Sequence, residues 1–252
     1  MTASEILAVR HHRPFPLPSS RWSMRQEWHN LLFAHWAIPG DTVRALIPRE
    51  LRPHLDLWDG HAYVGVVPFT IRNLRPRGVP PFPPLSNFAE INVRTYVTVD
   101  GKPGVYFFSL DAENVSAVIG ARAVYGLPYF KAIFRIETEG HAVRYRSHRT
   151  MSPRPADFRA EYAPVSEDLP WRPNDESVER FLTERYCLYA VIAGHVYRTN
   201  IHHLPWPLQQ AAAGIDTNSM AETVPLTLAG QPSLLHFSKF LDVLVWWPER
   251  VF

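Results

Sequence analysis

The chain has 252 residues, a formal charge of +2 and a hydrophobic content of 46%. These values are typical of one globular domain with a sizeable core and exclude a disordered chain. A single cysteine, Cys187, excludes an internal disulfide and a multi-cysteine metal site. No stretch approaches the roughly 20 apolar residues of a membrane span, and Met1–Pro18 lacks the apolar core of a signal peptide. We therefore expect a cytoplasmic protein with no membrane partner.

Arginine supplies most of the positive charge, since only Lys102, Lys131 and Lys239 are lysines. A guanidinium group matches phosphate geometry, which would suit a nucleic-acid partner. The arginines, however, are scattered among acidic residues and form no basic stripe. We therefore predict that the protein does not bind nucleic acid.

The first half of the chain predicts one short helix followed by strands. Asp41 is a candidate N-cap for a helix over Thr42–Ile47, which Pro48 would end. The run His61–Ile71 is rich in Val, Phe and Tyr and predicts a strand. A proline-rich segment, Arg75–Pro84, predicts a loop that follows this strand.

A regular period of two residues begins at Glu90 and predicts a strand up to Val99. One face carries Ile91, Val93, Thr95, Val97 and Val99, and the other carries Glu90, Asn92, Arg94, Tyr96 and Thr98. The Asp100-Gly101 dipeptide then turns the chain into Val105–Leu110, so a β-hairpin is predicted.

Two further helices are predicted after the first hairpin. Asp111 is a candidate cap for a longer helix that ends at Gly126 and Pro128. Its apolar side would carry Val115, Val118 and Ile119. Asp175 is a candidate cap for a helix over Glu176–Thr183.

Two further hairpins and a last strand complete the pattern. The hairpins join Tyr129–Glu137 to Val143–Tyr145 through Glu139-Gly140, and Tyr186–Ile192 to Val196–His203 through Ala193-Gly194; the last strand is Leu234–Trp247. This β-rich α+β pattern predicts a single domain over residues 1–252. We expect a closed or nearly closed antiparallel sheet, barrel or sandwich, with a few covering helices.

The common cofactor and metal motifs are absent from the sequence. It contains no phosphate loop, dinucleotide glycine fingerprint or nucleophile elbow, so no cofactor is expected. His202 and His203 would point to opposite faces of a strand and could not share one ion, so no metal site is expected either. Cys187 lies within a predicted strand and is interpreted as a buried, inert thiol.

The polar face of the Glu90 strand has two interpretations. It is solvated if the sheet is covered on one side only. If the sheet closes into a barrel, Glu90, Asn92 and Arg94 instead point into a cavity, where Arg94 would hold a carboxylate. The opposite face, with Val93 and Val97, would then meet the covering helices.

Seven motifs follow one another along nearly the whole chain: LLFAHW within Trp28–Trp36, DGHAYVGVVPF, SNFAEINVRTYV, GVYFFSLDA, ARAVYGLPYFKA, ERYCLY and IHHLPWPLQ. In this order they resemble the YqjF-like family of uncharacterised bacterial proteins, within the acetoacetate decarboxylase-like superfamily. The resemblance implies a β-rich cone or barrel that encloses a pocket.

The decarboxylases themselves carry a Tyr-Pro-Lys-Lys run whose first lysine forms a Schiff base, with its pKa lowered by the second. The corresponding run here is similar but reads Leu127-Pro128-Tyr129-Phe130, without either lysine. The resemblance therefore implies that ordinary acetoacetate decarboxylation is lost. Glu90 matches one of the family's two pocket glutamates, whereas Ala62–Ile71 contains no carboxylate to match the other. Lys131, two residues after Tyr129, would share its side of the strand and is a weak candidate for a displaced Schiff-base lysine.

Our leading hypothesis is a pocket for a small anionic ligand, which could be a carboxylated or keto metabolite. Its expected binding residues are Glu90, Asn92, Arg94, Ser109 and Tyr129, and its weak catalytic candidates are Glu90, Tyr129 and Lys131. A lyase, hydrolase or isomerase fits these groups, and so does ligand binding alone. The alternative is a non-catalytic ligand-binding or interaction module, with a homo-oligomer through Trp-rich elements left open.

Overall fold

Twelve strands and four short α-helices lie within the residues that the computed structural model describes, which are 1–114, 124–150, 152–169 and 176–252. The strands are β1 (Met24–Pro39), β2 (His61–Pro76), β3 (Phe88–Val99), β4 (Lys102–Ala112), β5 (Tyr129–Glu139), β6 (Ala142–Arg149), β7 (Asp157–Pro164), β8 (Cys187–Ile192), β9 (His195–His202), β10 (Leu208–Asn218), β11 (Leu234–Val245) and β12 (Glu249–Arg250). The helices are α1 (Ala3–Ala8), α2 (Gly40–Leu46), α3 (Pro83–Ser86) and α4 (Val178–Thr183).

The strands form one sheet that closes on itself twice. They are hydrogen-bonded in the order β12-β9-β8-β4-β3-β2-β1-β11-β10-β7-β6-β5, with further pairings of β4 with β5 and of β9 with β11. The first pairing closes a nine-stranded ring, and the second closes a seven-stranded ring that shares β1 to β4 and β11 with it. The predicted closed barrel is confirmed. It is antiparallel except where β4 pairs in parallel with β5 and with β8.

The two rings explain why both faces of the shared strands are buried. On β3, Ile91 and Val93 belong to the largest apolar core, together with Tyr145 of β6 and Phe158 of β7. Strands of the nine-stranded ring cover much of this face, and Val43 of α2 belongs to the same core, so the expectation that helices cover the face holds only in part. The Glu90 face of β3 points into the seven-stranded ring.

The three predicted hairpins are confirmed, and positive φ angles at their turns explain why the turn dipeptides predicted them. Asp100 and Gly101 have φ of 52° and 68°, and Ala193 and Gly194 have 50° and 77°. Positive φ at both central residues matches the right-handed twist of the flanking strands, and glycine adopts it without strain. The strand pattern did not predict β1, β7 or β10.

The helices are few and short, as expected, but their caps differ from the prediction. Helix α2 starts at Gly40, one residue before the predicted cap Asp41, and no side chain caps its N-terminus. Asp111 caps no helix; it is buried within β4 and paired with Arg149, and Val115, Val118 and Ile119 lie outside the described residues. Helix α4 is capped by Ser177, and the predicted cap Asp175 also lies outside them.

Among the described residues, no helix is both long enough and apolar enough to span a membrane.

Candidate functional site

A cavity of about 70 Å³ lies inside the seven-stranded ring. The strands β1, β2, β3, β4, β8 and β9 supply most of its wall, with Tyr129 of β5 and residues of the α4 region. The described lining residues are Gln26, Trp28, Leu31, Val67, Phe69, Ile71, Glu90, Asn92, Arg94, Val105, Phe107, Leu110, Leu127, Tyr129, Leu182, Thr183, Arg185, Leu188, Ile201 and Trp206. The wall is thus mainly apolar, with a few polar groups that converge on it, which is the usual composition of a small-molecule site.

Glu90 and Tyr129 form the acid–hydroxyl pair of the cavity. The Tyr129 hydroxyl donates a hydrogen bond to Glu90 Oε2 over 2.8 Å. Glu90 faces the cavity because it shares the alternating side of β3 with Asn92 and Arg94. Tyr129 reaches it because β5 pairs with β4, where Leu110 lies beside Tyr129 on one side and Asn92 on the other.

Burial changes the ionisation of this pair. It raises the pKa of Glu90 from its ordinary 4.5 to about 8, although hydrogen bonding from Tyr129 and Asn92 opposes the shift. Burial and the adjacent Glu90 carboxyl raise the pKa of Tyr129 well above its usual value. Glu90 is therefore a neutral carboxylic acid near pH 7, able to donate a proton or a hydrogen bond to a ligand.

Arg94 supplies positive charge further along the same face of β3. Its Nε donates to the Tyr96 hydroxyl over 3.2 Å, and that hydroxyl is hydrogen-bonded to Nε2 of the buried His35 over 2.6 Å. Its guanidinium carbon lies 5.2 Å from the centroid of the Phe33 ring. No carboxylate of the described residues forms an ion pair with Arg94, so its charge is available to an anionic ligand.

Arg185 is a second cationic wall residue, which the sequence analysis missed. Its Nη1 is bonded to Asp56, its Nε donates to the carbonyl of Phe181 over 2.6 Å, and its guanidinium lies 5.1 Å from the Tyr96 ring centroid. The side chain is only 5% exposed. Its position between α4 and β8 gave no periodic signal, although the ERYCLY motif contains it.

Asn92 is a buried wall residue with spare hydrogen-bonding capacity. Its Oδ1 accepts no hydrogen bond from the described residues. A buried carbonyl oxygen without a donor is costly, so a ligand hydroxyl or a water at this point would stabilise the site.

Ser109 does not line the cavity. It pairs with Val93 across β3 and β4, on the side that faces the nine-stranded ring, and its buried hydroxyl has no hydrogen-bond partner among the described residues. An irregularity in β4 explains this placement. Val93 pairs with Ser109, but Arg94 pairs with Phe107, so one residue of β4 has no partner on β3. Phe107 and Leu110 therefore face the cavity and Ser109 does not.

Lys131 pairs with Ala112 of β4, which pairs with Glu90 of β3 on its other side. Lys131 thus lies on the same side of β5 as Tyr129, as their two-residue offset predicts. Its ammonium group nevertheless lies at the rim, where it donates to the backbone carbonyl of Glu113. Lys131 does not line the cavity, and no lysine is among the described residues that do. The cavity therefore offers acid, amide and guanidinium groups but no amine from the part of the chain described.

His202, His203 and Cys187 lie in buried structural positions. Nε2 of His202 contacts the carbonyl of Ile6 over 3.0 Å, and the carbonyl of His203 contacts Nε2 of His12 over 2.7 Å. Burial raises the pKa of the Cys187 thiol to about 12, which disfavours the reactive thiolate. No cluster of three or more potential metal ligands occurs within the described ranges.

Comparison with known proteins places these features in a family. The family model DUF2071, described as an uncharacterized conserved protein, matches residues 25–242. The uncharacterized protein YqjF of Bacillus subtilis (strain 168) is 44% identical over 230 residues, which cover 91% of this chain and 93% of that protein.

The fold is that of acetoacetate decarboxylase. The decarboxylase of Legionella pneumophila superposes with a TM-score of 0.63 at 13% identity, covering 95% of this chain and 94% of the other. An acetoacetate decarboxylase-like enzyme from Sphingomonas wittichii RW1 gives 0.60 at 12% identity, with 95% and 99% covered. The enduracididine biosynthesis enzyme MppR, complexed with pyruvate, gives 0.56 at 9% identity, with 92% and 91% covered. At these identities the similarity establishes the fold and leaves the chemistry to the site itself.

Proposed function

Because this chain belongs to the DUF2071 family and has the acetoacetate decarboxylase fold, we propose that it binds a small carboxylated metabolite in the cavity of the seven-stranded ring. The observation that carries the proposal is the hydrogen bond between the half-buried Tyr129 and the buried Glu90, in a cavity that Arg94 also lines and where no described carboxylate neutralises the charge of Arg94. Arg94 would hold the ligand's carboxylate, because the charge of the other wall arginine, Arg185, is already balanced by Asp56.

The chemistry that we propose for this site is keto–enol exchange of a keto acid. Glu90, neutral near pH 7, would donate its proton to the carbonyl oxygen, and the carboxylate that remains, hydrogen-bonded by Tyr129, would accept the α-proton, which gives the enol and restores the acid. Neither group needs an amine, so this chemistry differs from the Schiff-base route of the decarboxylases. Keto acids supply both the carboxylate and the carbonyl. We place this activity in the cytoplasm, in keeping with a single, buried cysteine that requires no oxidising compartment.

A thermal-shift series tests ligand binding directly. Pyruvate, acetoacetate and benzoate are each added to the wild type, to Arg94→Ala and to Arg135→Ala, a control on β5 whose side chain is 72% exposed. A ligand at 100 times its Kd stabilises by roughly 2.7 kcal/mol. We expect a carboxylate to stabilise the wild type and Arg135→Ala but not Arg94→Ala. Equal stabilisation of all three proteins, or of none, would contradict the proposal.

Binding and turnover are separated by a second measurement. Any carboxylate that stabilises the wild type is incubated with it and followed by NMR for proton exchange or conversion. Exchange that is lost in Glu90→Gln while binding persists supports catalysis, and binding without exchange or conversion supports a ligand-binding protein.

A further inference from the structure

A second cavity, of about 290 Å³, adjoins the first and is called the vestibule here. Its described wall consists of Ser23, Met24, Gln26, Ile71, Leu74, Pro76, Phe88, Val124, Tyr125, Leu127, Tyr129, Leu188, Val245 and Trp247. Five of these residues, namely Gln26, Ile71, Leu127, Tyr129 and Leu188, also line the ring cavity. The two cavities are therefore separated only by shared side chains.

Three neighbouring strands line both cavities and place the two cavities in the same order along the barrel, although β2 is antiparallel to β1 and β3. On β3 the cavity-facing residues are Phe88 in the vestibule and then Glu90, Asn92 and Arg94 in the ring cavity. On β2 the order is Leu74, Ile71, Phe69 and Val67, and on β1 it is Met24, Gln26, Trp28 and Leu31. The site thus has an axis with an apolar outer end, the Glu90–Tyr129 pair in the middle and Arg94 at the inner end.

The outer end carries no Asp, Glu, His, Lys or Arg among its described wall residues. The Ser23 hydroxyl donates a hydrogen bond to the carbonyl of Val245 over 3.0 Å. At the rim, Trp247 and Val124 are 62% and 40% exposed, and the Trp247 ring stacks on Tyr125 with centroids 6.4 Å apart. Exposed apolar side chains that edge a concave apolar wall are typical of a ligand-binding surface.

The ring cavity, of about 70 Å³, is the smaller of the two, and the vestibule, of about 290 Å³, holds most of the space. A larger ligand anchored at Arg94 must continue past Tyr129 into the vestibule, where the contacts are apolar.

From this axis we propose that the ligand is an amphipathic carboxylic acid. Its carboxylate lies at the Arg94 end of the ring cavity, and its apolar chain fills the vestibule as far as Trp247. This inference rests on the proposed carboxylate site and adds the class of ligand to it. Burial of the chain, rather than the carboxylate alone, then supplies most of the affinity.

Titration calorimetry with propanoate, hexanoate, octanoate and 1-octanol, all below their aggregation limits, tests the proposal. Each buried methylene contributes about 0.8 kcal/mol, which is roughly a fourfold gain in affinity. Hexanoate should therefore bind roughly 60-fold more tightly than propanoate. We expect Trp247→Ala and Val124→Asn, both at exposed positions, to weaken octanoate at least fivefold. Phe240→Ala removes an aromatic ring that is 43% exposed and lies outside both cavities, and it should leave octanoate binding unchanged.

The outcomes separate this inference from the proposed function. If all three acids bind with equal affinity and depend on Arg94, the carboxylate site stands and the amphipathic ligand is wrong. If 1-octanol binds as tightly as octanoate, the carboxylate site fails although the apolar chain site is real. If octanoate is insensitive to Trp247→Ala and to Val124→Asn, its chain does not occupy the vestibule and the inference is overturned.

Discussion

The Tyr129 hydroxyl reaches Glu90 Oε2 at 2.8 Å although β4 lies between the strands that carry the two residues. The contact runs diagonally across the sheet, because Leu110 of β4 pairs with Tyr129 on one side and with Asn92 on the other. It therefore depends on the parallel pairing of β5 with β4, which also closes the nine-stranded ring. The acid–hydroxyl pair and the barrel closure are parts of one arrangement.

Glu90 should make the stability of the protein depend on pH. Its folded pKa of about 8 exceeds the ordinary 4.5, so between these values the folded state keeps a proton that the unfolded state has released. Stability then falls as pH rises from about 4.5 to about 8 and is constant beyond, as far as this group is concerned. Chemical denaturation at several pH values across this range measures the effect. The free energy of unfolding of the wild type should fall by roughly 2 to 4 kcal/mol relative to that of Glu90→Gln. Parallel pH profiles for the two proteins would refute the assignment.

Tyr129→Phe should raise the pKa of Glu90 further, because the tyrosine hydrogen bond favours the ionised carboxylate. The loss of that bond should also cost about 1 kcal/mol of stability. Infrared spectroscopy of the protonated carboxyl band, assigned by Glu90→Gln, gives the pKa in both proteins. Tyr106→Phe, at a hydroxyl outside the cavity wall, is the matched control and should leave the band unchanged. A lower Glu90 pKa in Tyr129→Phe would show that the bond does not act on the carboxylate.

Sequence reasoning succeeded where one strand carries its own signal. The alternation from Glu90 to Val99 predicted which side chains share a face, and Asp100-Gly101 and Ala193-Gly194 marked hairpins through a local φ requirement. Parity alone therefore grouped Glu90, Asn92 and Arg94, and the family resemblance added Tyr129. The strand alternation and the hairpin turns are set by residues that are neighbours in sequence, so they can be predicted without knowledge of the fold.

Features set by distant pairing were missed. The pattern did not reveal β1, which is buried on both faces from Leu31 to Trp36 because both rings share it, and such a strand shows no alternation. Asp111 read as a helix cap, yet its partner Arg149 lies 38 residues away. Ser109 was misplaced because the irregularity in β4 shifts the side-chain parity. Each case depends on contacts that no local window contains.

The Asp111–Arg149 pair should be costly to break. The two side chains are 0% and 1% exposed, and Arg149 Nε lies 3.0 Å and 2.9 Å from the two carboxylate oxygens. Removal of one partner leaves an uncompensated buried charge. In a urea titration, Asp111→Ala should therefore lower the free energy of unfolding by about 3 to 5 kcal/mol. Glu161→Ala, which breaks the half-exposed pair with Arg144, should lower it by less than about 1 kcal/mol. Similar losses in the two variants would contradict this account.

Lys131 is expected to form no imine with a keto acid. Its ammonium group bonds the carbonyl of Glu113 at the rim and is not part of the cavity wall. Borohydride added with pyruvate or acetoacetate should therefore leave Lys131 unmodified by peptide mass spectrometry, and Lys131→Met should bind carboxylates as the wild type does. Lys239, on β11 and also outside the cavity wall, serves as the internal control for nonspecific reduction products. A keto-acid adduct on Lys131 alone would revive the displaced Schiff-base lysine.

Carboxylate binding itself should weaken above about pH 8. In the free protein Glu90 ionises near that pH, and a second negative charge within the cavity then repels the ligand anion. Binding of the anion in turn raises the pKa of Glu90, so the affinity should fall by up to about tenfold per pH unit between the free and bound pKa values. Calorimetry from pH 6 to 10 should show this fall in the wild type but a nearly constant affinity in Glu90→Gln, which cannot ionise. An affinity that rises with pH would mean that the carboxylate does not lie near Glu90, and the axis from Glu90 to Arg94 would need another ligand.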